Sequence, residues 1–484
     1  MYSTWKKENV EQKMALVPVI EKMAADLFTP LAVYLKLADD GDDSFLLESV
    51  DGGENLARYS FIGVNPRMNI RSTGDETVVA KPEGTTLYRQ NAFEFLREQF
   101  SKTTIESGHD LPAFSGGAIG YFDFDCVECF EPTLKREAFE GPLAEFMFFD
   151  SVIAFDHVRQ TIHIVTLSSD ESDEFPSGEF ALEKNRVIRE RLESGIFKLP
   201  AELPTYGNTE VMSNFTAHDF EDAVRKVKEL INAGECYQVV LSQRFERRTN
   251  ASPVSIYRAI RSLNPSPYMF LLQIGGKSVI GASPEMLVRC REDNLEYRPI
   301  AGTRPRGKDA LEDRELGEEM QRDPKEVAEH MMLVDLGRND LGRVSEFGSV
   351  KVDRLMEVEK YSHVQHLVSQ LSAKLRSDKD QVDALSACFP AGTVSGAPKV
   401  RAIEIIRDLE PDTRGVYAGA VGYFDHAGNM DTCIAIRTLV LENGVAKIQA
   451  GAGIVADSVP ELEYQETVNK ARAMIRAIEI AEGR

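Results

Sequence analysis

The sequence has few cysteines, no long apolar run and a deficit of positive charge. Its 6 cysteines are scattered over 484 residues, which is not the spacing of a disulfide framework. No stretch approaches the ~18 to 20 apolar residues that a membrane-spanning helix needs. The segment from Met1 to Val10 is polar and charged and lacks a secretory apolar core. We therefore expect a cytoplasmic protein whose cysteines are buried or incidental thiols.

The charge balance excludes two classes of partner. The chain has 56 Lys and Arg against 78 Asp and Glu, a formal net charge of -22. The resulting field repels nucleic acid and anionic membrane surfaces, so nonspecific binding to either is not expected. An anionic substrate would need a local basic pocket. With 43% hydrophobic and 28% charged residues, the chain is long enough to bury a large core in more than one domain, or in one unusually large domain.

A soft region from Lys198 to Asn214, with Pro200, Pro204 and Gly207, predicts a boundary near residue 205. We therefore predict an N-terminal half, 1–205, and a C-terminal half, 206–484. Short strand-like runs dominate the first half: Ala32 to Leu37, Phe45 to Glu48 and Val152 to Thr166. The second half adds clear helical patterns: Phe220 to Ala233, Lys325 to Leu336, Gln381 to Cys388 and Glu461 to Ala481.

The two halves also resemble each other weakly, in three segments that recur in the same order. Phe45 to Glu48 and the following Phe61 to Met68 are echoed by Phe270 to Gln273 and Val279 to Met286, Gly117 to Asp123 by Gly419 to Asp425, and Asp150 to Asp156 by Asp431 to Arg437. Such echoes indicate two related sheets, although chance similarity among apolar strands remains an alternative.

The echo predicts that catalysis is confined to the second half. It pairs Arg437 with Asp156 and Glu285 with Arg67. Because an arginine can grip a carboxylate with two parallel hydrogen bonds, its presence in one half only is informative. We infer that the second half holds the chemistry, while the first keeps the architecture and is free for regulation.

Two Glu-x-x-Glu pairs each follow a helix-start signal. Asp323 is a natural N-cap with Pro324 at the first helical position, and Ser458 or a neighbour can cap a second helix that contains Pro460. Side chains three residues apart share a helix face, so each pair points one way. The pairs are Glu326 with Glu329 and Glu463 with Glu466.

These carboxylates predict a divalent-metal site. Hard oxygen ligands with open positions suit Mg²⁺, which keeps waters and takes a substrate carboxylate or phosphate. The alternative for Glu326 is a capping-box residue, and for Glu463 and Glu466 a solvated face near a positive helix end. Both pairs lie beside glycine-rich segments, Gly302 to Gly307 and Gly451 to Gly453, and this proximity favours the metal site.

Other candidates for chemistry lie in the same half. His366 suits a general acid or base, because imidazole titrates near neutral pH, although lone histidines are more often structural. The small-residue segment from Phe389 to Lys399 opens a helix and could hold an anion, but its spacing is not that of a Walker loop. Arg437 and Lys470 could pair with substrate carboxylates or simply form surface salt bridges.

Four long motifs in this half together resemble the chorismate-utilising enzymes, and more narrowly the large, aminating components of anthranilate synthases. They are Pro299 to Gly307, Glu329 to Asp340, Pro390 to Lys399 and Gly451 to Ser458. The similarity runs from about Ala217 to Ala477, and the first half adds Leu46 to Ser49 and Arg58 to Gly63. The resemblance implies an α+β fold of two packed antiparallel β-sheets flanked by helices.

The resemblance also implies a role for each candidate in Mg²⁺-dependent conversion of chorismate and ammonia to anthranilate and pyruvate. Glu329 and Glu466 would bind the metal directly, and Glu326 and Glu463 directly or through water. Glu285 would be the acid for the leaving hydroxyl, and His366 would serve the pyruvate elimination. The residues that would contact chorismate are Gly302, Thr393, Tyr417, Arg437, Gly451, Gly453 and Lys470.

Two positions distinguish subfamilies. Relatives that add water carry a lysine where this chain has Gln238, and a glutamine cannot deprotonate water. Aminodeoxychorismate synthases often carry a nucleophilic lysine where this chain has Ala301, so direct amination is favoured. No Gly-x-Cys-x-Gly glutaminase motif is present. We therefore expect a hetero-oligomer with a separate glutamine amidotransferase subunit that supplies ammonia.

The resemblance further implies feedback inhibition by tryptophan. The implied pocket is formed by Glu48, Ser49, Pro267, Tyr268, Met269, Val421 and Tyr423. A core strand and a turn are the alternative explanations for these segments. Two other functions stay open, an aminodeoxychorismate synthase component and a noncatalytic tryptophan-sensing subunit, although the intact set of Glu329, Glu466, Arg437 and His366 argues against the second.

Overall fold

The computed structural model describes residues 13–39, 41–49, 58–136, 141–194, 196, 199, 210–361 and 364–483. The predicted boundary near residue 205 lies outside these residues. Within them, no helix is both long and apolar enough to cross a membrane.

The described residues form ten α-helices. They are α1 Pro30–Leu37, α2 Ala92–Ser101, α3 Gly178–Ser194, α4 Ala217–Asn232, α5 Pro253–Leu263, α6 Ala310–Arg322, α7 Pro324–Gly342, α8 Gln381–Cys388, α9 Lys399–Leu409 and α10 Pro460–Ala481. Short 3₁₀ turns cover Phe124–Cys129, Pro132–Leu134 and Gly392–Val394.

The same residues form 25 β-strands. In the N-terminal half these are β1 Met14–Ala24, β2 Ser44–Glu48, β3 Tyr59–Val64, β4 Met68–Ser72, β5 Thr77–Lys81, β6 Gly84–Tyr88, β7 Thr103–Ile105, β8 Gly117–Phe122, β9 Ala144–Phe149, β10 Ser151–Asp156 and β11 Thr161–Ser168. In the C-terminal half they are β12 Met212–Ser213, β13 Gln238–Arg248, β14 Tyr268–Ile274, β15 Lys277–Ser283, β16 Met286–Arg291, β17 Asn294–Tyr297, β18 Ile300–Pro305, β19 Lys351–Lys360, β20 Val364–Lys374, β21 Gly396–Ala397, β22 Ala420–Asp425, β23 Met430–Ile434, β24 Thr438–Glu442 and β25 Val445–Ile454.

One predicted strand is wrong. The run from Ala32 to Leu37 is the body of helix α1. Thr29 caps this helix, because its hydroxyl accepts from the Ala32 amide at 3.2 Å, and Pro30 occupies the first turn. These start signals, with Val33 and Leu37 buried one turn apart, override the strand propensity of a short apolar run.

Two large, mostly antiparallel sheets draw strands from both halves of the chain. The first has the order β12-β13-β25-β24-β15-β14-β2-β3-β10-β11-β1-β7, with β21 beside β13. The second has the order β18-β20-β17-β16-β23-β22-β8-β9-β4-β5-β6, with β19 beside β20.

Helices cover the outer face of each sheet, and a third apolar layer fills the space between the sheets. Buried residues of α1, α5 and α10 pack on the first sheet and those of α2 and α8 on the second, while α9 packs against β13 at the end of the first sheet. Between the sheets, Phe45 of the first meets Phe149 of the second with ring centroids 4.9 Å apart. The predicted α+β architecture of two packed antiparallel sheets flanked by helices is confirmed.

The predicted internal duplication appears as strand pairing about a pseudo-twofold axis. Leu46 and Leu271 hold corresponding positions in the first echo, and they lie directly opposite each other where β2 pairs with β14. Gly120 and Gly422 correspond in the second echo and are likewise opposite where β8 pairs with β22. When two strands related by a twofold axis pair with each other, a residue at the axis lies directly opposite its own counterpart. The observed pairing therefore supports the first two echoes.

The third echo is in the wrong register. The ladders β3–β10 and β15–β24, related by the same axis, make Ile153 the counterpart of Leu439. Arg437 lies two residues before Leu439, and Ser151 lies two residues before Ile153. Arg437 therefore corresponds to Ser151 rather than to Asp156. Apolar strands match one another in several registers, and only the hydrogen-bonded ladder selects one.

We predict that Phe45→Ala lowers the free energy of unfolding by about 3–5 kcal/mol, because it opens a cavity in the aromatic layer between the sheets. Phe45 is fully buried, whereas Phe180 on α3 is 62% exposed. Urea denaturation of both alanine variants checks this. A loss no larger for Phe45→Ala than for Phe180→Ala would contradict the prediction.

Candidate active site and effector pocket

A cavity of about 590 Å³ opens in the C-terminal half, between β13 and β25 of the first sheet, β18 and β20 of the second, and helices α7 and α10. It collects the predicted catalytic and substrate-contacting residues and three of the four predicted metal ligands. These are Glu285, Gly302, His366, Thr393, Tyr417, Arg437, Gly451, Gly453, Lys470, Glu329, Glu463 and Glu466.

His366 is held in one tautomer by a bulge in the neighbouring strand. The β18–β20 register shifts between Ala301 and Thr303, and Gly302 adopts a φ of 65° there, which a glycine reaches without strain. The Gly302 carbonyl then lies 2.8 Å from Nδ1 of His366 and accepts a hydrogen bond from its N–H group. Burial lowers the pKa of His366, so the ring is neutral at pH 7 and its Nε2 can accept a proton.

Glu285 is protonated at neutral pH, whereas an ordinary glutamate side chain is ionised. Burial raises its pKa to about 8, and the Thr393 hydroxyl and the Arg437 guanidinium only partly offset that rise. A carboxyl group of this pKa keeps its proton at neutral pH and can donate it within the cavity. The cavity therefore contains a proton donor in Glu285 and a proton acceptor in His366.

Arg437 is the principal positive group facing this donor. Its backbone lies in the left-handed region with a φ of 49°, and its side chain is exposed to the cavity although protein surrounds it. The surrounding protein lowers the pKa of its guanidinium, and Glu285 acts against that shift. Among the described residues, no carboxylate comes within ion-pairing distance of Arg437, so a carboxylate of a ligand could bind there.

A second anchoring group lies on the β25 side. Lys470 donates to the Gly451 carbonyl at 3.0 Å and pairs with Glu466 at 2.7 Å. A Cβ added at Gly451 would lie 2.7 Å from the Tyr417 hydroxyl, and one at Gly453 would lie 2.7 Å from the Gln238 amide nitrogen. Both positions therefore need glycine, which lets other groups approach the β25 backbone closely.

The helix starts before the carboxylate pairs are mostly as predicted. Asp323 caps α7 by accepting from the Lys325 amide at 2.9 Å, and Pro324 opens that helix. At α10 the N-cap is Val459, whose apolar side chain cannot accept a hydrogen bond from the helix amides. The predicted cap Ser458 instead accepts from the Val455 amide at 3.0 Å, which closes the turn before the helix.

Glu326 does not face the cavity with the other carboxylates. It forms an ion pair with Arg304 at 2.9 Å, whereas Glu329, Glu463 and Glu466 line the cavity. Burial, and then the charge of Glu326, raise the pKa of Glu329. A nearby cation would relieve both effects, so the chemistry of these donors fits a divalent ion.

The carboxylates are not assembled into a closed metal site. Over the described residues, no three Asp, Glu, His or Cys side chains come together closely enough to hold a metal. This openness suits Mg²⁺, which is commonly bound by one or two protein carboxylates, with waters and ligand oxygens completing the shell. The residues present therefore fit that ion.

Several polar groups that line the cavity were not predicted from the sequence, among them Gln449, Lys325 and Asn469. Gln449 could have been found from strand alternation, since positions 449, 451 and 453 share one face of β25. Lys325 directly precedes Glu326 in the first turn of α7, where its charge raised no expectation of a site.

A smaller pocket of about 90 Å³ contains all seven residues of the predicted effector site. The Glu48 carboxylate is fixed there by the Tyr257 hydroxyl at 2.5 Å and by Arg261 at 3.1 Å. The buried Ser49 hydroxyl has no hydrogen-bond partner within the described part of the chain. Pro267 lines both this pocket and the larger cavity, so the two share a wall.

Comparisons with known proteins found relatives over almost the whole chain. The family model of the chorismate binding enzymes matches residues 42–476. Anthranilate synthase component 1 of Acetivibrio thermocellus is 45% identical over 474 residues, 96% of each chain. That of Pseudomonas aeruginosa is 45% identical over 477 residues, again 96% of each chain.

Solved structures show the same fold. Anthranilate synthase component I from Streptococcus pneumoniae superposes with a TM-score of 0.77 at 36% identity, over 94% of this chain and 99% of that one. The menaquinone-specific isochorismate synthase MenF from Escherichia coli, at 21% identity, has a TM-score of 0.69 over 97% of this chain and 96% of its own. The second likeness is one of fold alone.

The raised pKa of Glu285 predicts a pH-dependent stability. Between the ordinary glutamate pKa of 4.5 and about 8, the unfolded chain ionises this group and the folded chain does not, so its contribution to folding becomes less favourable as pH rises. We expect Glu285→Gln to gain in melting temperature over the native chain as pH rises from about 5 to 8, and the difference to level off above that. Equal differences at both ends of this range, or the same trend in the exposed-site control Glu190→Gln, would contradict it.

Proposed function

Because the chain belongs to the family of chorismate binding enzymes and is an enzyme of the anthranilate synthase type, we propose that its large cavity aminates chorismate with ammonia in the presence of Mg²⁺. The products are anthranilate, pyruvate and water. The observation that carries the proposal is the convergence of the neutral acid Glu285, the neutral base His366 and the guanidinium of Arg437 on one cavity.

Chorismate is a dicarboxylate, and the cavity has a cation for each end. Arg437 and Lys470 bind its carboxylates, with the amides of Gly451 and Gly453 and the Tyr417 hydroxyl as further donors. Burial raises the pKa of Tyr417 to about 12, so this hydroxyl keeps its proton at neutral pH. Charge-assisted bonds of this kind fix orientation as well as affinity.

The two neutral groups then divide the proton transfers between them. Glu285 gives its proton to the hydroxyl that leaves from ring C4 as water, while ammonia forms the new bond at C2. His366 serves the elimination of pyruvate, in which the proton at C2 is lost and the ring becomes aromatic. The Gly302 carbonyl keeps the Nε2 atom of His366 free for this step.

Glu329 and Glu466 are the residues that would bind Mg²⁺ directly, together with a substrate carboxylate, and Glu463 would act through water. When bound, the ion withdraws charge from the ring carboxylate and favours addition at the adjacent carbon. Glu326 acts on the metal site indirectly. Arg304 binds its carboxylate, and its charge raises the pKa of Glu329.

Two lining residues favour amination with loss of pyruvate over the related reactions. Gln238, which lines the cavity, cannot serve as the base that hydration requires. Ala301, which also lines it, cannot form the covalent adduct expected of a lysine there. Aminodeoxychorismate synthesis is the second candidate, and its product would retain the enolpyruvyl group.

The ammonia comes from a glutamine amidotransferase subunit. The chain has no glutaminase cysteine motif of its own, and relatives designated component 1 are named as one part of a larger enzyme. The resulting assembly is a hetero-oligomer.

Tryptophan binds the smaller pocket and inhibits. The unpartnered Ser49 hydroxyl and the fixed Glu48 carboxylate support a polar ligand there. Pro267, in the shared wall, links occupancy of this pocket to the shape of the cavity. Linkage then requires chorismate and tryptophan to weaken each other's binding to the same extent.

The purified chain, incubated with chorismate, Mg²⁺ and ammonium at mildly alkaline pH, tests the reaction directly. Anthranilate is followed by fluorescence and all products are identified by mass. Metal-dependent anthranilate and pyruvate are expected. An enolpyruvyl-bearing amine as the final product would favour aminodeoxychorismate synthesis, and absence of turnover by folded protein would favour a sensing role.

Glu329→Gln should raise the Mg²⁺ concentration for half-maximal activity by about tenfold or more, because it removes a charged ligand from the cavity. The matched control is Glu326→Gln, one helical turn earlier on α7, whose carboxylate is bound to Arg304. We expect a smaller shift in the control. Equal shifts in Mg²⁺ titrations of the two variants would reject Glu329 as a direct ligand.

Ser49→Ala should raise the tryptophan concentration that half-inhibits the enzyme by about fivefold or more, because a buried hydrogen bond contributes about 1 kcal/mol or more. We expect kcat and the KM for chorismate to stay within about twofold of the native values, since Ser49 lines only the smaller pocket. Initial-rate measurements over a tryptophan series check this. Unchanged inhibition would remove Ser49 from the effector site.

A further inference from the structure

We propose that Arg414, which does not itself line the cavity, is a positioning residue for it, and that its buried ion pair with Glu410 sets the relative placement of four parts of the cavity wall. The inference rests on the proposed reaction. Arg414 and Glu410 are almost wholly buried, with side-chain exposures of 2% and 4%. Both lie in the segment that links α9 to Tyr417.

The guanidinium binds three separate pieces of the chain. Nε and Nη2 of Arg414 reach the two oxygens of Glu410 at 2.9 and 2.6 Å. Nη1 donates to the Val394 carbonyl and Nη2 to the Val240 carbonyl, each at 2.7 Å. Val394 and Val240 line the cavity, so one side chain joins strand β13 to the turn that presents Thr393.

The same guanidinium also supports Tyr417. It lies 5.7 Å from the Tyr417 ring centroid and, on its other contact, 4.5 Å from that of Phe124. The Tyr417 hydroxyl lies at the Gly451 backbone, where an added Cβ would be 2.7 Å away. Arg414 thereby helps to hold a proposed substrate donor against strand β25.

Through Ser242 of β13, Glu410 extends the connection to strand β25. Its Oε1 accepts from the Ser242 amide at 2.8 Å and from the Ser242 hydroxyl at 2.9 Å. The Gln449 amide in turn donates to that hydroxyl at 2.8 Å, and Gln449 lines the cavity. The ion pair and its immediate partners therefore connect β13, β25, the Thr393 turn and Tyr417 beneath the cavity.

Only an arginine can make this set of bonds. The planar fork presents donors in several fixed directions, whereas a lysine ammonium at the same place is a point charge that cannot reach both carbonyls and both carboxylate oxygens. Displacing a wall segment by about 1 Å can cost on the order of a hundredfold in rate. The Thr393 hydroxyl affects the pKa of the proposed acid Glu285, and Tyr417 is a proposed substrate donor, so both kcat and KM should depend on this placement.

The test compares Arg414→Lys with Arg247→Lys. Arg247 forms a similarly buried pair with Glu482, with side-chain exposures of 3% and 2%, but at the far end of β13, away from the residues that line the cavity. Both variants should lower the melting temperature. For Arg414→Lys alone we expect kcat/KM to fall by about tenfold to a hundredfold, with a clear rise in the KM for chorismate.

The rise in KM separates positioning from simple destabilisation, because partial unfolding removes active enzyme and lowers kcat at constant KM. A kcat/KM of Arg414→Lys within about twofold of the Arg247→Lys control would overturn the proposal. If Arg414→Lys does not fold, Glu410→Gln decides. It should lower kcat/KM at least about fivefold while folded, and an unchanged value would overturn the proposal.

If the native chain makes no anthranilate, the proposed reaction is wrong, but the positioning role of Arg414 can still be tested by ligand binding. Calorimetric titration with chorismate and Mg²⁺ should give at least about fivefold weaker binding to Arg414→Lys, or to Glu410→Gln where the lysine variant does not fold, than to Arg247→Lys. Equal affinities, or no binding by the native chain, would overturn it.

Discussion

The pairing of β2 with β14, and of β8 with β22, is the constraint on which the rest of the structure depends. Each pairing joins a strand of the first half to its own counterpart in the second. In each of the two sheets, the strands of the first half and those of the second therefore form one continuous sheet. The smaller pocket lies on these central strands, which supply Glu48, Met269, Val421 and Tyr423. A ligand bound there would contact both halves at once, whereas the larger cavity lies wholly in the second.

The cavity uses burial to give two ionisable groups the protonation states that the chemistry needs. Burial raises the pKa of Glu285 and lowers that of His366, so both are uncharged at neutral pH, one as donor and one as acceptor. The chain as a whole carries a net charge of -22. Attraction for the proposed dicarboxylate substrate would therefore be local and would come from Arg437 and Lys470, within a protein that repels anions at longer range.

Local signals predicted the parts of the structure that local interactions determine. The Asp-Pro start of α7 and the span of α8 follow from capping and periodicity, and both are observed. The Thr-Pro start of α1 was an equally local signal that the strand interpretation overlooked. Strand order, the register that pairs Arg437 with Ser151, and the capture of Glu326 by Arg304 depend on contacts between distant segments, which neither propensity nor spacing encodes.

Building each sheet from strands of both halves has a consequence for the growing chain. Strand β8 leaves the ribosome some 300 residues before its partner β22, a delay of roughly 15–60 s at ~5–20 residues per second. During this interval the edge of β8 that β22 later covers lacks that partner, and unpaired apolar edges readily accept foreign strands. The growing chain therefore exposes a strand edge that the finished fold covers, until the second half has been synthesised.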